Sequence, residues 1–277
     1  MEYHIWANHA HVFPEKSKPD AGVSQLLELM DDCSIEKAVC FACFSSQYEK
    51  SGLPGDSVSW LYNEIKDKPS LIGFGTIDFS CDDIEKQVER IADMGFRGIK
   101  IHPAFQGINI IEPKVCRVYE TAQQLGLFIS FHTGLHWHRI ADYKVLLFDE
   151  VAFRYPELKF SMEHIGGYHF FRDALAVMCN ADRNSPNDTV FAGWTTIAMG
   201  ENGLPGVWSL NDEELRTVIA QTGNRRSIFG LDFPYNRADR IKPAIERIKN
   251  LDIPDEAKTG ILGGNLRSVL GFSFCGE

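Results

Sequence analysis

Short β-prone runs recur along this chain at intervals of roughly 30 residues, each followed by an amphipathic stretch, a pattern that leaves little open besides a parallel sheet covered by helices. Eight such runs can be counted: Tyr3 to His9, Lys37 to Ala42, Leu71 to Ile77, Gly98 to His102, Leu127 to His132, Leu158 to His164, Thr189 to Gly193 and Ser227 to Asp232. Helices are predicted over Ser24 to Cys33, Asp82 to Met94, Pro113 to Leu125, Ala141 to Tyr155 and Asn211 to Thr222, several led by Ser, Asp or Asn as an N-cap. Eight strand-then-helix repeats predict an α/β fold of the (β/α)8 TIM-barrel type, which 277 residues can build as one unit. The seventh run is the most ambiguous, since Ala192-Gly193-Trp194-Thr195-Thr196 also reads as a loop. No Pro/Ser-rich linker, low-complexity tract or charge block interrupts the chain, so residues 1–277 are expected to form a single domain. Polar, glycine-containing segments at Gln47 to Asp56, His132 to Arg139, Asn180 to Asp188 and Gly200 to Gly206 are expected to cover one end of the barrel.

Composition narrows the partners. With 28 Lys+Arg against 38 Asp+Glu, a net charge of -10 disfavours nucleic acid and anionic membrane, leaving a small-molecule substrate. No charged n-region with an apolar h-region opens the chain, and no apolar run approaches the roughly 20 residues that span a bilayer. A cytoplasmic protein is expected. Seven scattered cysteines read as reduced thiols, and Cys40-Phe41-Ala42-Cys43 on a strand would point its two thiols to opposite faces.

The chemistry sits at the ends of the runs. Asn8-His9-Ala10-His11 closes the first, and residues i and i+2 of a strand share a face, so His9 and His11 would aim at one spot. Lys100 and His102 end the fourth run, His132 the fifth, His164 the sixth and Asp232 the eighth. In a parallel barrel these ends converge on one rim, the place where such folds carry catalytic groups. Neutral imidazoles with one carboxylate form a ligand set for zinc, and equally for manganese, iron or cobalt. In Gly98-Ile99-Lys100-Ile101-His102-Pro103, alternation puts Lys100 and His102 inward, where a buried lysine needs a partner or a modification. Lys100 is thus a carbamate bridging two metals, an anchor for a substrate carboxylate, or the partner of an acid. His136-Trp137-His138 lies in a loop and is expected to face substrate or solvent, while Arg139 and Arg172 are candidate cations at the pocket rim.

The ordered set Asn8-His9-Ala10-His11, Phe131-His132-Thr133-Gly134, Glu163-His164-Ile165-Gly166-Gly167, Phe229-Gly230-Leu231-Asp232-Phe233-Pro234 and the closing Leu262-Gly263-Gly264-Asn265-Leu266-Arg267-Ser268-Val269-Leu270-Gly271-Phe272 resembles the amidohydrolase superfamily. More narrowly, it is similar to the amidohydrolase-related group that includes aminocarboxymuconate-semialdehyde decarboxylase. The resemblance runs from residue 3 to residue 272. It implies His9, His11, His132 and Asp232 as metal ligands, with Asp232 and His164 catalytic. It leaves Lys100, His102, His164 and Arg139 as substrate contacts or ligands of a second ion. A divalent metal is implied, zinc first and manganese, iron or cobalt as alternatives, with one ion favoured over two; a homodimer is compatible with the family. The first functional expectation is a hydrolase that attacks a small amide, lactone or ester with a metal-activated water. The alternative is a non-oxidative decarboxylase of an unsaturated or aromatic carboxylic acid.

Overall fold

A computed structural model of the chain describes residues 3–184, 188–200 and 204–272. Its strands are β1 (Ile5–His11), β2 (Ile35–Phe41), β3 (Leu71–Thr76), β4 (Gly98–Ile101), β5 (Phe128–His132), β6 (Phe160–Glu163), β7 (Val190–Gly193), β8 (Ser227–Ile228) and β9 (Gly230–Phe233). All pair in parallel, in the order β8-β7-β6-β5-β4-β3-β2-β1-β9. The eighth expected run is one strand broken at Phe229: β8 pairs with β7 and β9 with β1. At the break the Phe229 N–H donates to the carbonyl of Ile261, while its own carbonyl accepts from the Asn8 N–H. The barrel is thereby closed, as a TIM barrel.

Alternation along the strands sorts the core into two layers. On β4 and β5, Ile99, Ile101, Ile129 and Phe131 join the large cluster beneath the helices, whereas Phe41, Phe74, Phe128 and Phe191 fill the barrel interior with Trp6, Ile228 and Leu266. Helices Val23–Asp32, Ile84–Asp93, Pro113–Leu125 and Asp212–Thr222 match their expected positions to within a residue or two. Asn211 caps the last of these, its side chain accepting from the Glu214 N–H while Glu214 accepts from the Asn211 N–H. The stretch from Ala141 to Tyr155 is shorter than expected: the helix runs over Leu147–Arg154 and a single 3-10 turn, Ile140–Asp142, precedes it. The ambiguous seventh run is a strand to Gly193 and a turn from Thr195.

The closing glycine-rich motif seals the barrel at the start of β1. Gly263 has φ 155, and a Cβ there would lie 2.4 Å from the His4 carbonyl and 2.7 Å from the Trp6 nitrogen. Only a glycine permits that approach. Asn265 then donates to the carbonyls of Asn224 and Ser227, tying the C-terminal segment to β8. Of the expected covering loops, residues 185–187 and 201–203 lie outside those described. Among the described residues no helix is long and apolar enough to cross a membrane. Cys40 and Cys43 are both buried, and burial pushes each thiol up to about 12, so neither is a ready thiolate.

Candidate metal centre and its surroundings

His9, His11 and Asp232 come together at the carboxyl ends of β1 and β9, with one donor atom of each inside a 4.8 Å group. The two Nε2 atoms of His9 and His11 are 3.0 Å apart, and Asp232 Oδ1 is 3.4 Å from the first and 3.9 Å from the second. Simple alternation is not what brings the imidazoles together. The register of β1 slips between Ala7 and Ala10 against β2 and between Asn8 and Ala10 against β9, and His9 occupies the left-handed region with φ 66. His164, Thr196 and Asp232 share that conformation, with φ 65, 66 and 54. Non-glycine residues resist it at a cost of about 1 kcal/mol or more each, so strain is concentrated where the side chains converge.

Glu163, at the end of β6, orients the group from below and is fully buried. Its carboxylate accepts from Asn8 Nδ2 at 2.7 Å, Ser130 Oγ at 3.2 Å, Ser161 Oγ, Thr195 Oγ1 and His9 Nδ1 at 3.1 Å. Because His9 Nδ1–H donates to a carboxylate, the Nε2 lone pair faces His11 and Asp232. A carboxylate behind an imidazole is the usual support of a metal-ligating histidine. Gly193 on the adjacent β7 makes room, since a Cβ there would meet Glu163 Oε2 at 2.5 Å. Two nitrogens and a carboxylate oxygen with this backing suit a divalent cation of the zinc or manganese type.

His164 donates from Nδ1 to the Thr195 carbonyl at 3.1 Å, which leaves its Nε2 lone pair free. Burial, with the Lys100 charge, pushes its pKa down to about 3. At neutral pH it is an uncharged ring offering a lone pair, better suited to ligation or to accepting a hydrogen bond than to carrying a proton. His132 lies outside the 4.8 Å group. Its Nε2 donates to the Gly134 carbonyl at 2.6 Å, and its ring sits between His164, 4.9 Å away centre to centre, and His102, stacked at 3.8 Å. Burial holds His9, His11, His102 and His132 well below the usual imidazole range, so all are neutral. Asp232 moves the other way, raised by burial to about 6 despite the Lys100 cation nearby.

Lys100 is fully buried, its Nζ 5.1 Å from the centre of the Phe41 ring and without a hydrogen-bond partner among the described residues. Burial pushes it down to about 8. Arg139 does not join the group: it is 80% exposed, pairs with Asp142 at 2.9 Å and lines a neighbouring cavity that shares His132 with the site. Arg172 lines a separate surface depression. The cavity of about 230 Å³ over the metal group is walled instead by Trp208, Tyr235, Asn236 and Arg240 together with the histidines. Sequence reasoning missed Arg240 and Glu163. Arg240 carries no local signal on the helix Ala238–Asn250, but a carboxylate ending the apolar run Phe160–Glu163 demanded a partner.

A family model described as amidohydrolase matches residues 60–272. A curated 2-amino-3-carboxymuconate-6-semialdehyde decarboxylase from Dictyostelium discoideum is 21% identical over 234 residues, which cover 73% of this chain and 61% of that protein. The chain therefore spans less than two thirds of that relative's length. The solved 5-carboxyvanillate decarboxylase from Sphingomonas paucimobilis superposes with a TM-score of 0.73 at 13% identity, covering 98% of this chain and all of that one (100%). A dihydroxybenzoic acid decarboxylase from a Polaromonas species, with bound manganese and an inhibitor, gives 0.67 at 15% identity, with 97% of each chain covered. Other solved structures of the same fold carry hydrolase names.

Proposed function

We propose, because the chain belongs to the amidohydrolase family, that it is a metal-dependent carboxy-lyase, releasing carbon dioxide from an unsaturated or aromatic carboxylic acid without oxidation. The observation that carries this reading is the pairing of the His9–His11–Asp232 group with Lys100, a buried cation that has no hydrogen-bond partner among the described residues. Burial of this cation outweighs the pull of the Glu163 and Asp232 carboxylates, and an anionic substrate would relieve it further in a way that a neutral amide or lactone would not. Arg240 at the cavity wall adds a second positive charge. Hydrolysis, the first expectation from sequence, becomes the second reading, supported by the hydrolase names among the structural neighbours.

His9, His11 and Asp232 would hold the cation, with His164 or His132 as a further nitrogen. A bound divalent ion would supply Lewis acidity, drawing electron density from the substrate's oxygens. The chain's own groups do the rest. Arg240 in the cavity wall binds the acid, the buried Lys100 charge adds attraction from outside the cavity lining, and Trp208 and Tyr235 wall the cavity around an unsaturated or aromatic body. As the bond from carbon to carboxylate breaks, its electron pair stays on carbon. Asp232 delivers a proton there and is recharged from solvent, so the substrate anion and one proton become a neutral C–H and carbon dioxide.

The test is a panel of carboxyl-labelled aromatic and unsaturated acids, with lactones and amides beside them, incubated with metal-loaded protein. Labelled carbon dioxide that disappears in Asp232→Asn, while the fold is kept, is the expected result. Ring or amide cleavage with the carboxyl label retained in the product would replace it with the hydrolytic reading.

A further inference from the structure

Trp137, in the loop after β5, carries two unfavourable features at once. Its backbone lies in the left-handed region with φ 56, where a bulky side chain is rarely found. Its indole is 78% exposed to water. A loop that needed only to turn would be served there by glycine or asparagine without the strain. Strain held at the edge of a cavity, on a large apolar ring, points to a task for that ring.

The local structure presents the indole rather than burying it. The backbone N–H groups of His136 and His138 both donate to the Tyr143 hydroxyl, at 2.7 and 3.2 Å, so the residues on either side of Trp137 are fixed to one atom. Their rings pack on His102, with centres 5.2 and 5.8 Å from it. Trp137 is left outside that packing, yet it lines the cavity over the metal group. Phe44, Phe105, Trp208 and Tyr235 give the same cavity aromatic walls, and Phe44 and Phe105 are held against each other with centres 5.0 Å apart. A flat guest resting on those walls would offer its open face to the indole.

We propose that Trp137 is a stacking lid, whose indole folds onto the exposed face of a guest in the cavity and so selects flat, unsaturated acids over saturated acids of the same size. This rests on the carboxy-lyase reading and assigns its preference for an unsaturated body to one residue. The metal group and Arg240 hold a carboxylate whether its ring is flat or puckered; the stack tells the two apart, because a puckered ring has no π-face to meet the indole.

Calorimetric binding to manganese-loaded protein tests it, with benzoate and cyclohexanecarboxylate as probes that share a carboxylate and differ in ring shape. In the wild type benzoate is expected to bind about threefold or more tightly, the worth of an aromatic stack beyond the area it buries. Acrylamide quenching of the tryptophan emission should fall as benzoate binds, since among the described residues Trp137 is the one largely exposed tryptophan. The preference should shrink towards parity in Trp137→Ala and be largely retained in Trp137→Phe. Trp137→Gly should keep a urea midpoint equal to or above that of the wild type, because glycine accepts the left-handed backbone and no packing is lost. A tryptophan with a merely structural role would lower that midpoint. No preference for benzoate in the wild type, a preference that survives in Trp137→Ala, or a lower midpoint in Trp137→Gly overturns the lid alone. Failure of both acids to bind the metal-loaded protein overturns the carboxylate reading and the lid with it.

Discussion

Glu163 decides what His9 can do. Its carboxylate accepts from His9 Nδ1–H and is itself saturated by Asn8, Ser130, Ser161 and Thr195. Replacement by Gln removes the charge and lets the amide present N–H to His9, so the imidazole loses its fixed tautomer. Metal affinity should fall about 10–100-fold in Glu163→Gln, measured by competition with a chelating dye, with the thermal midpoint as a control for folding. An unchanged affinity would show that Glu163 does not set the ligand's orientation. The sequence announced His9, His11 and Asp232 because histidines and acids at strand ends are scarce in apolar surroundings. Glu163 was legible only as a carboxylate out of place in an apolar run, and its four other donors come from β1, β5, its own strand and the turn after β7. No local pattern links those positions.

Among the elements, the loop after β5 is stapled by Tyr143. The Tyr143 hydroxyl accepts the backbone N–H groups of both His136 and His138, and the Tyr143 ring stacks on Phe170 with centres 6.0 Å apart. Tyr143→Phe keeps the stack and removes the acceptor, so two N–H groups must find water. Faster proteolysis or amide exchange across residues 135–143 is expected, with weaker substrate binding and little change in global stability. Exchange rates equal to wild type would mean that the loop is held by other contacts. The strand positions were legible because the period of two in β4 and β5 follows the pleat, and Pro113–Leu125 was legible from its proline start and glycine end. The bulge in β1 was not. It arises because the chain must set Asn8 and His9 against the same carboxylate, a tertiary demand that alternation does not record.

The whole molecule stores its site as neutral rings. His9, His11, His102 and His132 are held well below the ordinary 6.5 and His164 at about 3, chiefly by burial. In the unfolded chain each would take a proton as pH falls through about 6.5, whereas the folded chain refuses it, so folding loses stability on acidification below that point. Asp232 acts in the opposite sense, since its folded carboxyl holds a proton between 3.8 and about 6 and gains stability there. Five imidazoles outweigh one carboxyl. The metal-free protein should therefore have a lower urea midpoint at pH 5.5 than at pH 7.5, each imidazole contributing up to about 1 kcal/mol. A midpoint that rises on acidification would contradict the buried neutral rings. The barrel itself was legible at this scale, because eight repeats of strand and helix admit few other closures. Its sealing by Gly263 and the break at Phe229 depend on contacts between the two ends of the chain.

Elemental analysis of purified, metal-replete protein reaches the central claim most directly. The wild type should carry about one divalent ion per chain and His9→Ala far less, with the fold intact by circular dichroism. A wild type that binds no metal, or a His9→Ala protein that keeps its full complement, would contradict the account of this site.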